Sequence, residues 1–332
     1  MKKTLFTIFC AVVAISCATD EVTVSNDLAI SFENAFVDPQ VIRSKVTDPT
    51  ITTDKVNPLD KFKVWGFMDA TSAVIFDGEV VEKQEDGQWT YGEVQYWAPN
   101  HTYYFGALAP VDNCHWVLNS DKANEFGIGE LTFVNSEGTE DLLYASKSVE
   151  THDDEKFYSE GVAPVMLNFS HLLSKIKFTF TNGFGKDNIT MNVSEIKMTV
   201  PKNATINLAV ENWWDNDDWK ITDAETSDLD FGVVPDLDTQ TPLSSTNERL
   251  TIPAGKNASY AISFKVNIFI GGQPAMEVTK TATLTGVAFN MGRSYNIKAD
   301  ITPDNLELKP IEFEVEVKDW IPEGEFDLTL DK

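Results

Sequence analysis

Cysteine is scarce in this chain of 332 residues, which holds only Cys10, Cys17 and Cys114. The first two lie in or directly after an apolar N-terminal stretch, so Cys114 stands alone in the rest of the sequence. A disulfide framework is therefore excluded, and a hydrophobic core must stabilise the fold. His115 follows Cys114, but neighbouring residues on a strand point to opposite faces, so we interpret Cys114 as a buried, inert residue.

Long apolar runs are missing as well. The run LFTIFCAVVAIS after Lys2 and Lys3 would span roughly 18 Å as a helix, against about 30 Å for a bilayer core. We therefore predict a signal peptide at residues 1–16 rather than a membrane span. The sequence AISC at 14–17 resembles the lipobox of bacterial lipoproteins, which predicts a lipid on Cys17 and membrane attachment through that lipid alone. An ordinary signal peptide with an incidental cysteine is the alternative.

Positive charge is scarce relative to negative charge. The chain has 26 Lys and Arg residues against 52 Asp and Glu residues, for a formal net charge of −26. Such a surface repels nucleic acids and anionic lipid headgroups, so neither is expected as a partner.

Catalytic signatures are absent from the sequence. It contains no G-x-S-x-G, no H-E-x-x-H, no Walker-type phosphate loop and no G-x-G-x-x-G. Its four histidines, His101, His115, His152 and His171, are far apart and lack ligand-like spacing. We predict that the protein is not an enzyme and that it has no metal site and no cofactor.

Alternation of apolar with other residues is abundant. The longest run has its apolar residues at Tyr260, Ile262, Phe264, Val266, Ile268 and Ile270. Such alternation indicates strands with one face in a core and the other in water. Turn dipeptides such as Asn182-Gly183 separate these strands at hairpin spacing. The sequence predicts an all-β chain of antiparallel sandwiches, one at 44–160 and one at 161–332.

One loop offers a ligand-binding hypothesis. Trp213, Trp214 and Trp219 surround a run of Asp and Asn residues within a stretch that we predict to be a loop. Indole rings stack on sugars, and the oxygens of Asp and Asn bind hydroxyl groups, so the three tryptophans are candidate glycan contacts. The alternative is a solvated loop whose Trp side chains fold back on the sandwich.

Four features together give the chain a family resemblance. They are the lipoprotein signal ending at Cys17, the strand-like LAISFENAFVDPQVIR ending at Arg43, the central NFSHLLSKIKFTF at 168–180, and VEVKDW at 315–320 followed by FDLTL. In order and spacing these features resemble the Bacteroides-type fimbrillin superfamily, whose members are type V pilus subunits and their tip and anchor relatives. The resemblance implies two transthyretin-like sandwiches in tandem.

The resemblance also implies a route of assembly. A lipidated precursor reaches the outer membrane and cell surface, and an arginine-directed protease cuts at Arg43. The leader 17–43 then leaves with the first strand, and a strand from a neighbouring subunit fills the open groove. The strand that leaves carries Leu28, Ile30, Phe32 and Phe36, and the candidate donor strand 325–330 carries Phe326, Leu328 and Leu330.

The implied function is a structural subunit of a cell-surface fimbria (pilus), or a pilus-associated adhesin, with other fimbrial subunits as partners through β-augmentation. One alternative is an accessory or anchor subunit that keeps its leader, in which Arg43 is an uncut loop residue. Another is a surface glycan-binding lipoprotein. The C-terminal strand could also pair within its own sandwich, and we assign His171 and Lys175 structural roles.

Overall fold

The computed structural model describes residues 28–37, 59–69, 73–210, 219–255, 257–307 and 311–320. Strands dominate this part of the chain. Its helices are short: α1 (Glu155–Ser159), α2 (Pro303–Glu307) and a 3-10 turn at Ser120–Lys122. None of the helices in the described ranges is long and apolar enough to cross a membrane. The predicted all-β fold is confirmed.

Two sheets form the N-terminal part of the fold. The seven-stranded sheet contains, in spatial order, β1 (Phe32–Val37), β9 (Val165–His171), β8 (Leu143–Glu150), β5 (Thr102–Ala109), β2 (Lys61–Met68), β3 (Ala73–Lys83) and β4 (Trp89–Thr90). The four-stranded sheet contains β13 (Trp219–Ile221), β12 (Asn203–Asn207), β7 (Glu130–Val134) and β6 (Trp116–Asn119).

Two further sheets form the C-terminal part. One contains β16 (Leu243–Ser244), β10 (Ser174–Asn182), β20 (Arg293–Ile301) and β21 (Phe313–Asp319), and β17 (Arg249–Thr251) also pairs with β10. The other contains β14 (Thr226–Asp230), β11 (Ile189–Pro201), β18 (Ser259–Ile270) and β19 (Gln273–Thr285), and β15 (Val234–Leu237) also pairs with β11.

The described residues form three hydrophobic cores against these sheets. The C-terminal core is built from strands of the two C-terminal sheets and includes Phe178, Phe264 and Ile297. The inner core lies between the seven-stranded and four-stranded sheets and includes Phe67 and Ile206. The outer core lies on the other face of the seven-stranded sheet. That sheet is therefore covered on both faces, which explains why β2 is buried at consecutive positions rather than at alternate ones.

Among the described strands most pairs are antiparallel, as expected, but two are parallel: β1 with β9 and β10 with β20. Alternation shows that a segment is a strand with one buried face, and it carries no information about the direction of the neighbouring strand. The prediction of antiparallel sheets therefore needs correction at these two pairs.

The expected boundary near residue 160 falls at the end of α1, between two strands of the same sheet. β9 follows this position and pairs with β8, which precedes it. β12 likewise pairs with β7. The chain leaves the seven-stranded sheet at His171 and enters β10 at Ser174. The division into two sandwiches at 44–160 and 161–332 stays a prediction.

Candidate subunit interface

The segment 28–37, the closing segment, lies between β9 of the seven-stranded sheet and the chain that follows β4. On one side β1 runs parallel to β9, and the Val165 N–H donates to the Ser31 carbonyl at 2.8 Å. On the other side it contacts the chain that follows β4. There the Ile30 N–H donates to the Gln95 carbonyl, and the Trp97 N–H donates to the Leu28 carbonyl, both at 2.8 Å. The segment thus bonds to β9 on one side and to the chain that follows β4 on the other.

Phe32 fills an aromatic pocket in the outer core. Its side chain is buried, and its ring centroid lies between 5.7 and 6.2 Å from the centroids of Phe62, Phe76, Tyr91 and Phe105. Three of these four pairs are edge-to-face, a geometry worth roughly 0.5–1.5 kcal/mol per pair beyond the area buried. The Tyr91 hydroxyl also donates to the Ile30 carbonyl at 2.5 Å. The pocket is therefore a specific receptor for one side chain of the closing segment.

A bulge changes which residues of the closing segment face inward. Glu33 is opposite Met166 and Phe36 is opposite Asn168, so three steps along β1 match two steps along β9. Ile30 and Phe32 are buried, Leu28 packs partly buried against the same core, and Ala35 is buried after the bulge. Strict alternation predicts Phe36 on this face, but its side chain lies outside the described part of the structure.

Two of the motifs behind the family resemblance meet at the junction between the N-terminal and C-terminal sheets. The rings of His171 and Trp320 stack, with centroids 3.7 Å apart and planes 10° apart. The His171 Nδ1 atom lies 2.9 Å from Asp141 Oδ1. Lys175 Nζ lies 5.1 Å from the centroid of the Trp320 ring and 3.2 Å from Glu248 Oε2. His171 and Lys175 thus each contact the Trp320 ring and a carboxylate of the fold.

The other polar candidates are dispersed. His101 pairs with Asp69 and His115 pairs with Glu140, each apart from the His171 pair. Cys114 is partly buried, packs on the inner core, and its Sγ lies 3.5 Å from the Val111 carbonyl. Within the described ranges, no group of three His, Cys, Asp or Glu side chains is close enough to hold a metal ion.

Trp219 occupies a core position. It begins β13 and is only 7% exposed, and its Nε1 donates to the Leu172 carbonyl at 3.1 Å. This indole is therefore not accessible to a glycan, which corrects the expectation of a surface contact for Trp219. Trp213 and Trp214 lie outside the described residues.

Several predicted site residues also lie outside the described part of the chain. They are Cys17, Arg43, Phe326, Leu328 and Leu330. Lipidation, processing and strand donation by these residues stay predictions.

Sequence reasoning did not identify the residues that receive the closing segment. Tyr91, Gln95 and Trp97 lie in WTYGEVQYW, the stretch 89–97 that supplies β4 and the chain beyond it. Four aromatic residues in nine positions were the available signal. Aromatic density indicates a contact surface, but it does not tell which segment of the chain fills that surface.

The comparisons with known proteins agree with this architecture. The sequence model described as fimbrillin-like matches residues 46–320. The fold is similar to that of a fimbrial protein from Bacteroides vulgatus, with a TM-score of 0.61 and 15% identity over 89% of this chain and 100% of the other. It is also similar to a candidate cell adhesion protein from Bacteroides uniformis, with a TM-score of 0.50 and 18% identity over 89% of this chain and 98% of the other.

No curated protein matches the sequence. The family is one of structural proteins rather than enzymes. Since its sequence model covers most of the chain, this protein belongs to the fimbrillin-like family.

Proposed function

We propose that this protein is a structural subunit of a cell-surface fimbria, or a pilus-associated adhesin, that assembles by strand exchange after its leader is removed at Arg43. Family membership implies a cell-surface location and assembly with other fimbrial subunits. The observation that carries the finer proposal is the closing segment, which supplies side chains to the outer core and bonds both to β9 and to the chain that follows β4.

The position of Arg43 suits removal of this segment. β1 ends at Val37 and β2 begins at Lys61, so Arg43 lies between them in sequence. A cut at Arg43 severs the covalent link between the closing segment and the rest of the fold. From then on only hydrogen bonds and packing hold the segment in place.

Loss of the closing segment leaves unpaired groups behind. The Val165 and Trp97 N–H groups, the Gln95 carbonyl and the Tyr91 hydroxyl each lose a described hydrogen-bond partner. A buried group left without a partner costs roughly 1–3 kcal/mol, and the aromatic pocket of Phe32 is exposed at the same time. A replacement strand that offers backbone groups and an apolar side chain at the Phe32 position relieves both costs.

The proposed donor is the C-terminal stretch 325–330 of a neighbouring subunit. Phe326, Leu328 and Leu330 alternate there with Asp327 and Thr329, the pattern of a strand with one apolar face. Backbone ladder bonds would supply affinity, and the pockets for alternate side chains would supply specificity.

The proposed lipid on Cys17 then acts as a transit tag. Cys17 precedes Arg43, so the cut separates the lipid from the assembled subunit. The precursor would be attached to the outer membrane, and the mature subunit would reside in extracellular fimbriae.

A second candidate function is an accessory or anchor subunit that keeps its leader. The close fit of the closing segment favours it, because Phe32 and Ile30 already complete the outer core of the uncut chain. In this candidate Cys17 stays attached and the groove is never open.

N-terminal sequencing of the protein from the cell surface, together with an unheated denaturing gel, tests the proposal. We expect a mature N-terminus at Ser44 and a ladder of polymers for the wild type and for the control Lys45→Ala. Arg43→Ala should keep the acylated Cys17 and give no ladder. An acylated Cys17 and no ladder in the wild type would support the anchor instead.

A further inference from the structure

A small cleft opens on the inner-core face of the seven-stranded sheet, opposite the face that receives the closing segment. Its volume is about 200 Å³. Phe67 on β2, Tyr104 on β5 and Ser148 on β8 are paired across neighbouring strands, so they form one row on this face. Phe67 is buried, Tyr104 is half-buried and Ser148 is exposed. These three side chains form the base of the cleft, which is apolar at Phe67 and polar at Ser148.

A tight turn forms the wall of the cleft. Asn124 and Gly127 exchange backbone hydrogen bonds of 3.0 and 3.2 Å, and the Phe126 N–H donates to Asn124 Oδ1 at 2.8 Å. Asn124 Nδ2 anchors the turn to the Ala209 carbonyl at 2.9 Å. A Cβ atom on Gly127 would lie 1.8 Å from the Leu208 carbonyl oxygen, so this close approach requires glycine. These hydrogen bonds and the close approach of Gly127 hold the turn in place, and with it the backbone of Phe126.

Phe126 is 47% exposed although it sits on this well-anchored turn. Keeping an aromatic ring in water forgoes roughly 25 cal/mol for each Å² of apolar surface. Together with Tyr104, Phe126 gives the cleft two accessible aromatic side chains. Aromatic rings beside a few polar groups are the usual lining of a small-molecule site.

The polar lining indicates the chemistry of the ligand. Glu125 is a charged residue of the lining, whereas Lys147 pairs opposite Phe105 and its side chain lies with Phe105 on the outer-core face. A carboxylate accepts hydrogen bonds from hydroxyl groups and repels acidic saccharides. Ser146 and Ser148 add hydroxyl groups that donate and accept hydrogen bonds. The volume lies below the roughly 300–1,000 Å³ typical of sites for drug-sized ligands, which suits a single ring.

We propose that this cleft binds one ring of a neutral saccharide. The aromatic side chains pack on the apolar face of the ring, and the serine hydroxyls and the Glu125 carboxylate bind its hydroxyl groups. The site does not depend on strand exchange, since it lies on the opposite face from the closing segment.

A glycan array carrying neutral and acidic saccharides, probed with the purified full-length protein, tests the proposal. The monosaccharide at the end of the best ligand and, separately, free phenol are then titrated by NMR. We expect neutral saccharides to bind, and Phe126→Ala and Ser148→Ala each to weaken binding about tenfold without lowering the melting temperature. Tyr158→Ala is the matched control, because Tyr158 is a 58% exposed aromatic residue on α1, outside the cleft.

Four results would overturn the proposal. They are binding of no saccharide, binding of acidic saccharides alone, saccharide binding that Phe126→Ala leaves unchanged, and binding of free phenol in place of any hexose. The last would indicate a site for an aromatic side chain of a protein partner. None of them bears on the N-terminus or the polymer ladder, so failure here is distinguishable from failure of strand exchange.

Discussion

The outer core and the C-terminal core are both hydrophobic, but they differ in how the chain supplies their residues. The outer core takes Ile30 and Phe32 from before Arg43 and Phe62 and Phe105 from after it. Every described residue of the C-terminal core, from Ile176 to Ile311, follows Arg43. A cut at Arg43 therefore divides the first core and leaves the second intact. If the proposed cut takes place, we expect the N-terminal half to change state while the C-terminal half stays folded.

The largest expected effect on stability comes from removing one large side chain from each of the two cores. Phe32→Ala should lower the free energy of unfolding of the N-terminal sheets by about 3–5 kcal/mol, because it leaves a cavity among four aromatic rings. Phe264→Ala should cost the C-terminal core a similar amount. Denaturant unfolding monitored by hydrogen exchange and mass spectrometry would assign each loss to its region.

A cut at Arg43 should affect the stability losses of these two variants differently. Once the leader has dissociated, Phe32→Ala and wild type are the same molecule and should have equal stability, whereas the deficit of Phe264→Ala should persist. Equal protection from exchange around Phe62 and Phe105 before and after the leader is removed would contradict the account.

A smaller effect is expected from pH. In the N-terminal half, hydrogen bonds from His101 and the Thr102 N–H lower the pKa of Asp69. In the C-terminal half, hydrogen bonds from Lys298 and Lys318 lower the pKa of Glu316. A carboxyl group with a lowered folded-state pKa stabilises the fold above its unfolded pKa, and this stability is lost as the pH falls through the folded value.

Asp69→Asn and Glu316→Gln should each flatten part of the fall in melting temperature on acidification below the ordinary carboxyl pKa. The effect is small because both groups are exposed to solvent. Asn also suits the positive φ of 50° at position 69. Melting curves from neutral to acidic pH, with Asp228→Asn as an exposed control, would measure it. Variants that parallel the wild type at every pH would contradict these assignments.

The sequence predicts strands well where a strand has one buried face. In β18 the alternate residues from Tyr260 to Ile268 are buried as expected, and Ile270 is 49% exposed because it lies at the tip of the β18–β19 hairpin. Prediction is weaker where a second layer covers the strand. Trp65 and Phe67 in β2 face the inner core, while Phe62 and Val64 face the outer core.

The candidate interface was predictable in part. Alternation identified Ile30 and Phe32 as inward-facing residues of the first strand. It could not identify the bulge that turns Ala35 inward, nor the parallel pairing with β9, because both depend on the partner strand. The partners Gln95 and Trp97 follow from how the sheet closes, which is a property of topology rather than of local sequence.

We propose above all that removal of the closing segment opens a groove for the C-terminal strand of another subunit. The most direct test of this proposal uses protein whose own donor is disabled by Leu328→Asp and Leu330→Asp, cut at Arg43 and freed of its leader. This protein is titrated with a peptide of residues 325–330, with binding and melting temperature as the measurements.

We expect saturable binding that raises the melting temperature, is competed by a peptide of residues 28–37, and is absent from the uncut protein. Equal binding to cut and uncut protein, or no binding to either, would contradict the proposal.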